Sequence, residues 1–141
     1  MTAREYFKQI QYLDCAIDSK YETLGRLKAL ARKATATLSD MPGGGNGGKS
    51  TESIIVKIID LQNEINADID ILVDMKAAAI KLIRRLPALD ERLILEKKYV
   101  QGKDWPDICT EMKCSDRQVF RKSQAALRQM DIFLKNVSNW Q

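Results

Sequence analysis

Apolar residues recur at alternating steps of four and three positions along the first 86 residues of this 141-residue chain. Such spacing places them on one face of a helix and is typical of a heptad seam. The first seam consists of Tyr6, Ile10, Leu13, Ile17, Lys20, Leu24, Leu27, Ala31, Ala34 and Leu38. The second consists of Ile54, Ile58, Leu61, Ile65, Asp68, Leu72, Met75, Ala79, Leu82 and Leu86. The pattern predicts two long helices, of matching length, that pack as an antiparallel hairpin over residues 1–86.

A glycine-rich stretch at residues 39–51 separates the two predicted helices and is typical of a flexible connector. Within it, Gly43–Ser50 matches the phosphate-binding pattern GxxxxGK[ST] letter for letter. That pattern binds phosphate where a buried strand precedes the loop and a helix N-terminus follows it. Here the preceding segment has helical periodicity instead, and Ser50 or Thr51 can cap the second helix. We therefore expect a linker that binds no nucleotide.

The hydrophobic pattern changes at Pro87, which predicts a boundary between the hairpin and a compact module at residues 87–130. A first short helix is expected over Asp90–Tyr99, with Leu93 and Ile94 facing inward. Gly102 ends it with left-handed geometry. Asp104 is expected to cap the next helix with its side chain, and residues 131–141 form a tail that we expect to be helical.

The last helix of this module begins with a capping box, Ser115 followed three residues later by Gln118. The turn before it contains Lys113, where left-handed geometry is mildly strained for any residue other than glycine. The inner face of the helix is predicted to carry Val119, Ser123, Ala126, Leu127 and Met130. Two short helices joined by such a turn form the pattern of a helix-turn-helix, whose partner is double-stranded DNA.

Positive charge is concentrated on the opposite face of that last helix. The whole chain has a net charge of only +4, and the middle of the chain is acidic, so a general polyanion binder is not expected. Residues early in such a helix contact base edges, and we assign that role to Arg117, Gln118 and Arg121. Lys122 and Arg128 are assigned to phosphates.

The composition also excludes several classes of chemistry. The chain has no histidine, which removes His-dependent catalysis and His-ligated zinc. Its three cysteines match no disulfide framework and are typical of a reducing compartment. No apolar run is long enough to span a membrane, and no secretory signal is recognisable. We expect a cytoplasmic protein that is not an enzyme and holds no cofactor or metal.

The segment ALDERLILEKKYVQGKDWPDICTEMKCSDRQVFRKSQAAL resembles region 4 of bacterial sigma factors. The matching residues are Glu91, Arg92, Tyr99, Gly102, Ile108, Cys109, Ser115, Val119, Arg121, Ala126 and Leu127. The resemblance implies that the last helix enters the major groove, with Ser115 near phosphate and Arg117, Gln118 and Arg121 toward bases. The whole chain is also similar to small phage and prophage proteins of Gram-positive bacteria, including late-transcription regulators of the ArpU type.

Together these patterns predict an all-α protein in which a long helical hairpin carries a sigma-region-4-like helix-turn-helix. Ile55, Ile59 and Ile69 add apolar surface that two helices alone cannot bury, which predicts a homodimer. The expected function is sequence-specific DNA binding that regulates phage or prophage genes. Two alternatives stay open at this point: an adaptor that acts on RNA polymerase or a host factor, and a component of phage DNA packaging. The role of Phe120, an outward-leaning aromatic on the last helix, is also open.

Overall fold

The computed structural model describes the backbone of residues 1–40 and 47–138. Its helices are α1 (Ala3–Asp40), α2 (Gly47–Ile83), α3 (Leu89–Leu95), α4 (Trp105–Met112) and α5 (Asp116–Ser138). A π-helical turn, Glu96–Val100, follows α3 directly. The described ranges contain no strand, so the prediction of an all-α fold is confirmed. Within the same ranges, no helix combines the length and the apolar character that a membrane crossing requires.

The two long helices each extend further into the glycine-rich stretch than the sequence predicted. α1 continues to Asp40, and α2 already begins at Gly47. Ser50 or Thr51 was expected to cap α2, but both lie within the helix, so that prediction is wrong. Extension is favoured because each added residue closes another backbone hydrogen bond once a helix has started. Residues 41–46, and with them the first half of the Gly43–Ser50 pattern, lie outside the described residues.

Two compact units make up the chain. One combines Met1–Leu13 with Leu72–Gln141, and the other consists of Asp14–Ile71. The first unit therefore contains the start of α1, the end of α2 and all three shorter helices. The division at residues 86 and 87 was inferred from the change of hydrophobic pattern and stays a prediction.

In the unit Asp14–Ile71, the two polar residues that interrupt the seams contact each other. The ammonium Nζ of Lys20 lies 2.5 Å from Oδ2 of Asp68, and this hydrogen bond raises the pKa of Lys20. The buried apolar side chains of this unit include Ile17, Leu24 and Ile65. Lys20 interrupts the first seam and Asp68 the second, and the two carry opposite charges. Because they pair in only one alignment of the helices, the pair favours a single register for these two helical segments.

The C-terminal helices pack around a small apolar core. Ile94 of α3, Ile108 of α4 and Val119 of α5 are buried together, and half-buried Cys109, Met112 and Cys114 pack against them. The predicted inner face of α5 is confirmed, since its members are all buried: Val119, Ser123, Ala126, Leu127 and Met130. On α3 the inward pair is shifted by one residue. Leu95 is buried with Ile94, whereas Leu93 is only half-buried.

The first turns of α1 belong to the same unit as these helices. Phe7 is fully buried and stacks on Tyr99 of the π-helical turn, with ring centroids 4.4 Å apart. The backbone amide of Ala3 donates to Oδ1 of Asp131 at 2.6 Å. Asp131 lies in α5, which continues without interruption from the capping box to Ser138. The predicted tail is thus, as far as residue 138, an extension of α5.

Candidate nucleic-acid interface

A tight turn between α4 and α5 sets the direction in which α5 leaves the core. Lys113 adopts left-handed geometry with φ 54°. Its amide donates to the carbonyl of Thr110 at 3.3 Å, and the amide of Cys114 donates to the carbonyl of Cys109 at 3.1 Å. These two bonds form a Schellman motif, which satisfies the last carbonyls of α4. The left-handed lysine predicted from the sequence is confirmed.

Ser115 and Gln118 form the predicted capping box at the start of α5. The backbone N–H of Gln118 donates to Ser115 Oγ at 3.2 Å, and the backbone N–H of Ser115 donates to Gln118 Oε1 at 3.1 Å. Both side chains therefore stabilise the first turn of the helix. The bond from the Ser115 N–H uses one of the two lone pairs of Oε1, so Gln118 can still bond a base through its NH2 group or through the second lone pair without breaking the box. Asp104 stands at the corresponding position of α4, but its side chain makes no capping hydrogen bond, so the predicted cap is wrong.

Replacing Lys113 with glycine is expected to raise the free energy of unfolding by about 1 kcal/mol, because glycine adopts φ > 0 without the steric cost of a Cβ atom. Urea denaturation measures the change. Lys113→Ala is the matched control: it removes the same side chain, keeps the Cβ atom and should give no gain. Equal gains in both variants would assign the effect to the lysine side chain and not to the backbone.

Five of the six candidate DNA-binding residues line one concave surface of α5. This surface, here called the α5 face, is formed by Ser115, Arg117, Gln118, Phe120, Arg121, Gln124, Ala125 and Arg128. Arg117, Arg121, Gln124 and Arg128 follow each other at helical spacing, so they form one stripe along the helix. Phe120 lies beside the stripe and keeps 63% of its surface exposed. The α5 face thus combines three guanidinium groups with an exposed aromatic ring.

The sixth candidate, Lys122, lies apart from the α5 face. Its Nζ is 2.9 Å from Oδ2 of Asp90, in the first turn of α3. This hydrogen bond holds the pKa of the Asp90 carboxyl below its usual value and raises the pKa of Lys122. Lys122 therefore links α3 to α5. Phosphate binding by Lys122 would have to compete with this carboxylate.

A second concave surface adjoins the α5 face and was missed by sequence reasoning. This surface, here called the N-terminal groove, is lined by Arg4, Lys8, Gln11, Lys98, Tyr99, Trp105, Phe120, Gln124 and Leu127. Its three cations come from α1 and the π-helical turn, far from α5 in the sequence. The spacing of Arg4 and Lys8 places both on one face of α1, but only the packing of α1 beside α5 brings that face next to the α5 face.

Comparison with known proteins yields one family. The model of a family described as a protein of unknown function, DUF1492, matches residues 33–131. No curated protein and no solved structure matches the chain. The matched range includes the core of the C-terminal helices and the whole α5 face as far as Arg128. Because that range covers more than two thirds of the 141 residues, the chain belongs to the DUF1492 family.

Proposed function

We propose that this protein binds double-stranded DNA in a sequence-specific manner and regulates the transcription of phage or prophage genes. In this proposal α4, the turn at Lys113 and α5 act as a helix-turn-helix, with α5 as the recognition helix. The main support is the α5 face: Arg117, Arg121 and Arg128 form one exposed stripe on a helix whose opposite side is buried. A helix of this kind presents several positive charges in one fixed direction, as binding to a polyanion requires.

The spacing of the three arginines along α5 suggests separate roles for them. Arg117 and Arg121 lie about 6 Å apart along the helix axis, within its first two turns. Both therefore fit inside a major groove that is about 12 Å wide, where arginine binds guanine with two hydrogen bonds. Arg128 lies about 16 Å from Arg117 along the axis, beyond the width of the groove. We assign Arg128 to a phosphate at the groove wall and place Ser115 near phosphate at the other end.

Two of the candidate residues have restricted roles in the proposal. Gln118 contacts a base only in orientations that keep the capping box, through its NH2 group or through the one lone pair of Oε1 that the box leaves. Lys122 contacts phosphate only if DNA displaces it from Asp90. Sequence choice in this proposal therefore depends mainly on Arg117 and Arg121.

We further propose that the protein acts as a homodimer. In the unit Asp14–Ile71, three neighbouring apolar side chains of α2 are about half exposed: Ile55 46%, Val56 56% and Ile59 50%. Neighbouring exposed aliphatic residues of this kind favour burial against a second protein surface. A twofold dimer would present two α5 helices to two half-sites about 34 Å apart, or a multiple of that distance.

Selection of duplexes from a random library tests the function and the dimer together. The expected result is a motif with two half-sites at fixed spacing, bound by a particle with twice the mass of the chain in light scattering. Binding should weaken steeply between about 50 and 200 mM salt. Recovery of no motif, with no salt-dependent duplex binding, would overturn the proposal. Capture of RNA polymerase by such a non-binding protein would instead support the adaptor alternative.

A further inference from the structure

The N-terminal groove is the strongest charged feature that the recognition helix does not account for. Three cations line it, Arg4, Lys8 and Lys98, and no carboxylate is present among the described residues of its lining. Its walls also contain the rings of Tyr99, Trp105 and Phe120. A concave surface with several positive charges and no negative ones is complementary to an anion that carries repeated charges.

The groove and the α5 face form a continuous surface. Phe120 and Gln124 line both of them. In addition, Nη2 of Arg4 donates to Oε1 of Gln124 at 2.5 Å. Gln124 belongs to the same helical stripe as Arg121 and Arg128. The first cation of the groove is therefore bonded directly to the stripe that we assign to DNA.

The groove is held in place by packing on both sides. The stacking of Phe7 on Tyr99 and the bond from the Ala3 amide to Asp131 fix the first turns of α1 beside α5. On the other side, Nζ of Lys98 lies 5.0 Å from the centroid of the Trp105 ring. Cations on such fixed elements lose less conformational entropy on binding than cations on free chain ends.

The positive charge of Arg4 is not neutralised by its known contact. Its partner Gln124 is an uncharged amide. Charge complementarity and continuity with the arginine stripe favour the phosphates of the same DNA over an acidic protein segment. We propose that Arg4, Lys8 and Lys98 bind backbone phosphates of the duplex beside those that α5 contacts. This inference rests on the proposed function.

Salt dependence of duplex binding tests the inference with Arg4→Ala plus Lys8→Ala in the full-length chain. Each protomer of the proposed dimer loses two phosphate contacts, four in all on the selected duplex, so the slope of log affinity against log salt should fall by about 3.6. The ratio of the affinity at 50 mM salt to the affinity at 200 mM salt should accordingly be about 150-fold smaller than in the wild type, while the ranking of selected sequences stays the same. Fluorescence polarisation with the selected duplex measures both. Lys8→Ala alone, which leaves the Arg4–Gln124 bond intact, should lower the slope by about half as much.

Arg26→Ala plus Lys28→Ala is the matched control, because it removes the same charge from two exposed positions of the same helix. Equal salt slopes for this control and for the Arg4/Lys8 variant would overturn the inference. If Arg117 and Arg121 still mattered in that case, the proposed function would stand and the groove would be assigned to an acidic protein segment. If the wild-type protein bound no duplex at all, both proposals would fail. A thermal melt of each variant verifies that it is folded.

Discussion

Arg117→Ala combined with Arg121→Ala is expected to lower the affinity for a selected duplex roughly a hundredfold or more. Each bidentate contact between arginine and guanine contributes about 1–3 kcal/mol, and each 1.4 kcal/mol corresponds to a factor of ten. The fold should not change, because both side chains are exposed and make no ion pair among the described residues. The loss should therefore appear in binding alone, as measured by fluorescence polarisation at fixed salt.

The control for this variant must remove equal charge elsewhere in the same unit. Arg84→Ala plus Arg85→Ala does so at two exposed positions that follow α2. It should change affinity by no more than a few-fold, through the general electrostatic field of the protein. An equal loss in both variants would mean that only net charge matters and that Arg117 and Arg121 do not contact bases.

A conservative change separates base contact from charge more sharply. Arg117→Lys keeps the positive charge but loses the planar fork that binds guanine with two hydrogen bonds. We expect the salt slope to stay as in the wild type, while the discrimination between matched and mismatched base pairs at one position decreases. If Arg117 instead contacts phosphate, the lysine variant should retain the discrimination.

The features of the site that were predictable from the sequence depend on residues close together in the chain. The Schellman turn requires φ > 0 only at Lys113. The capping box requires two suitable residues three positions apart, Ser115 and Gln118. The inner face of α5 follows from helical periodicity in the same way. For this reason the exposed stripe of α5 could also be located, although its contact with DNA stays a proposal.

The features that sequence analysis missed depend on contacts between distant residues. Lys122 was assigned to phosphate as a basic residue of the last helix outside the positions that read bases, and nothing local indicates that Asp90 approaches from α3. The N-terminal groove needs Phe7 to stack on Tyr99 before Arg4 can reach α5. One such contact could have been predicted. Lys20 and Asp68 are the only polar members of their seams and lie symmetrically about the glycine-rich stretch, which indicates an ion pair in an antiparallel arrangement.

Ile94→Ala is expected to destabilise the C-terminal helices by about 2–5 kcal/mol, through lost apolar burial and the cavity that remains. Ile94 is fully buried and meets Ile108 and Val119, so it connects α3 with both α4 and α5. Typical domains have a total stability of only about 5–15 kcal/mol, and the change would thus remove a large share of it. Urea denaturation of the variant and of the wild type measures the difference. Ile94→Val, which removes one methyl group, should cost only about 1 kcal/mol.

The same variant separates a folding defect from a binding defect. Ile94→Ala leaves every side chain of the α5 face unchanged, so its folded fraction should bind a selected duplex with the wild-type affinity. Apparent affinity should fall only where part of the protein is unfolded and should recover under conditions that refold it. Arg117→Ala plus Arg121→Ala should show no such recovery, because that loss lies in the contacts themselves. If Ile94→Ala bound weakly even when fully folded, the packing of α3 against α5 would have to position the arginine stripe as well as stabilise it.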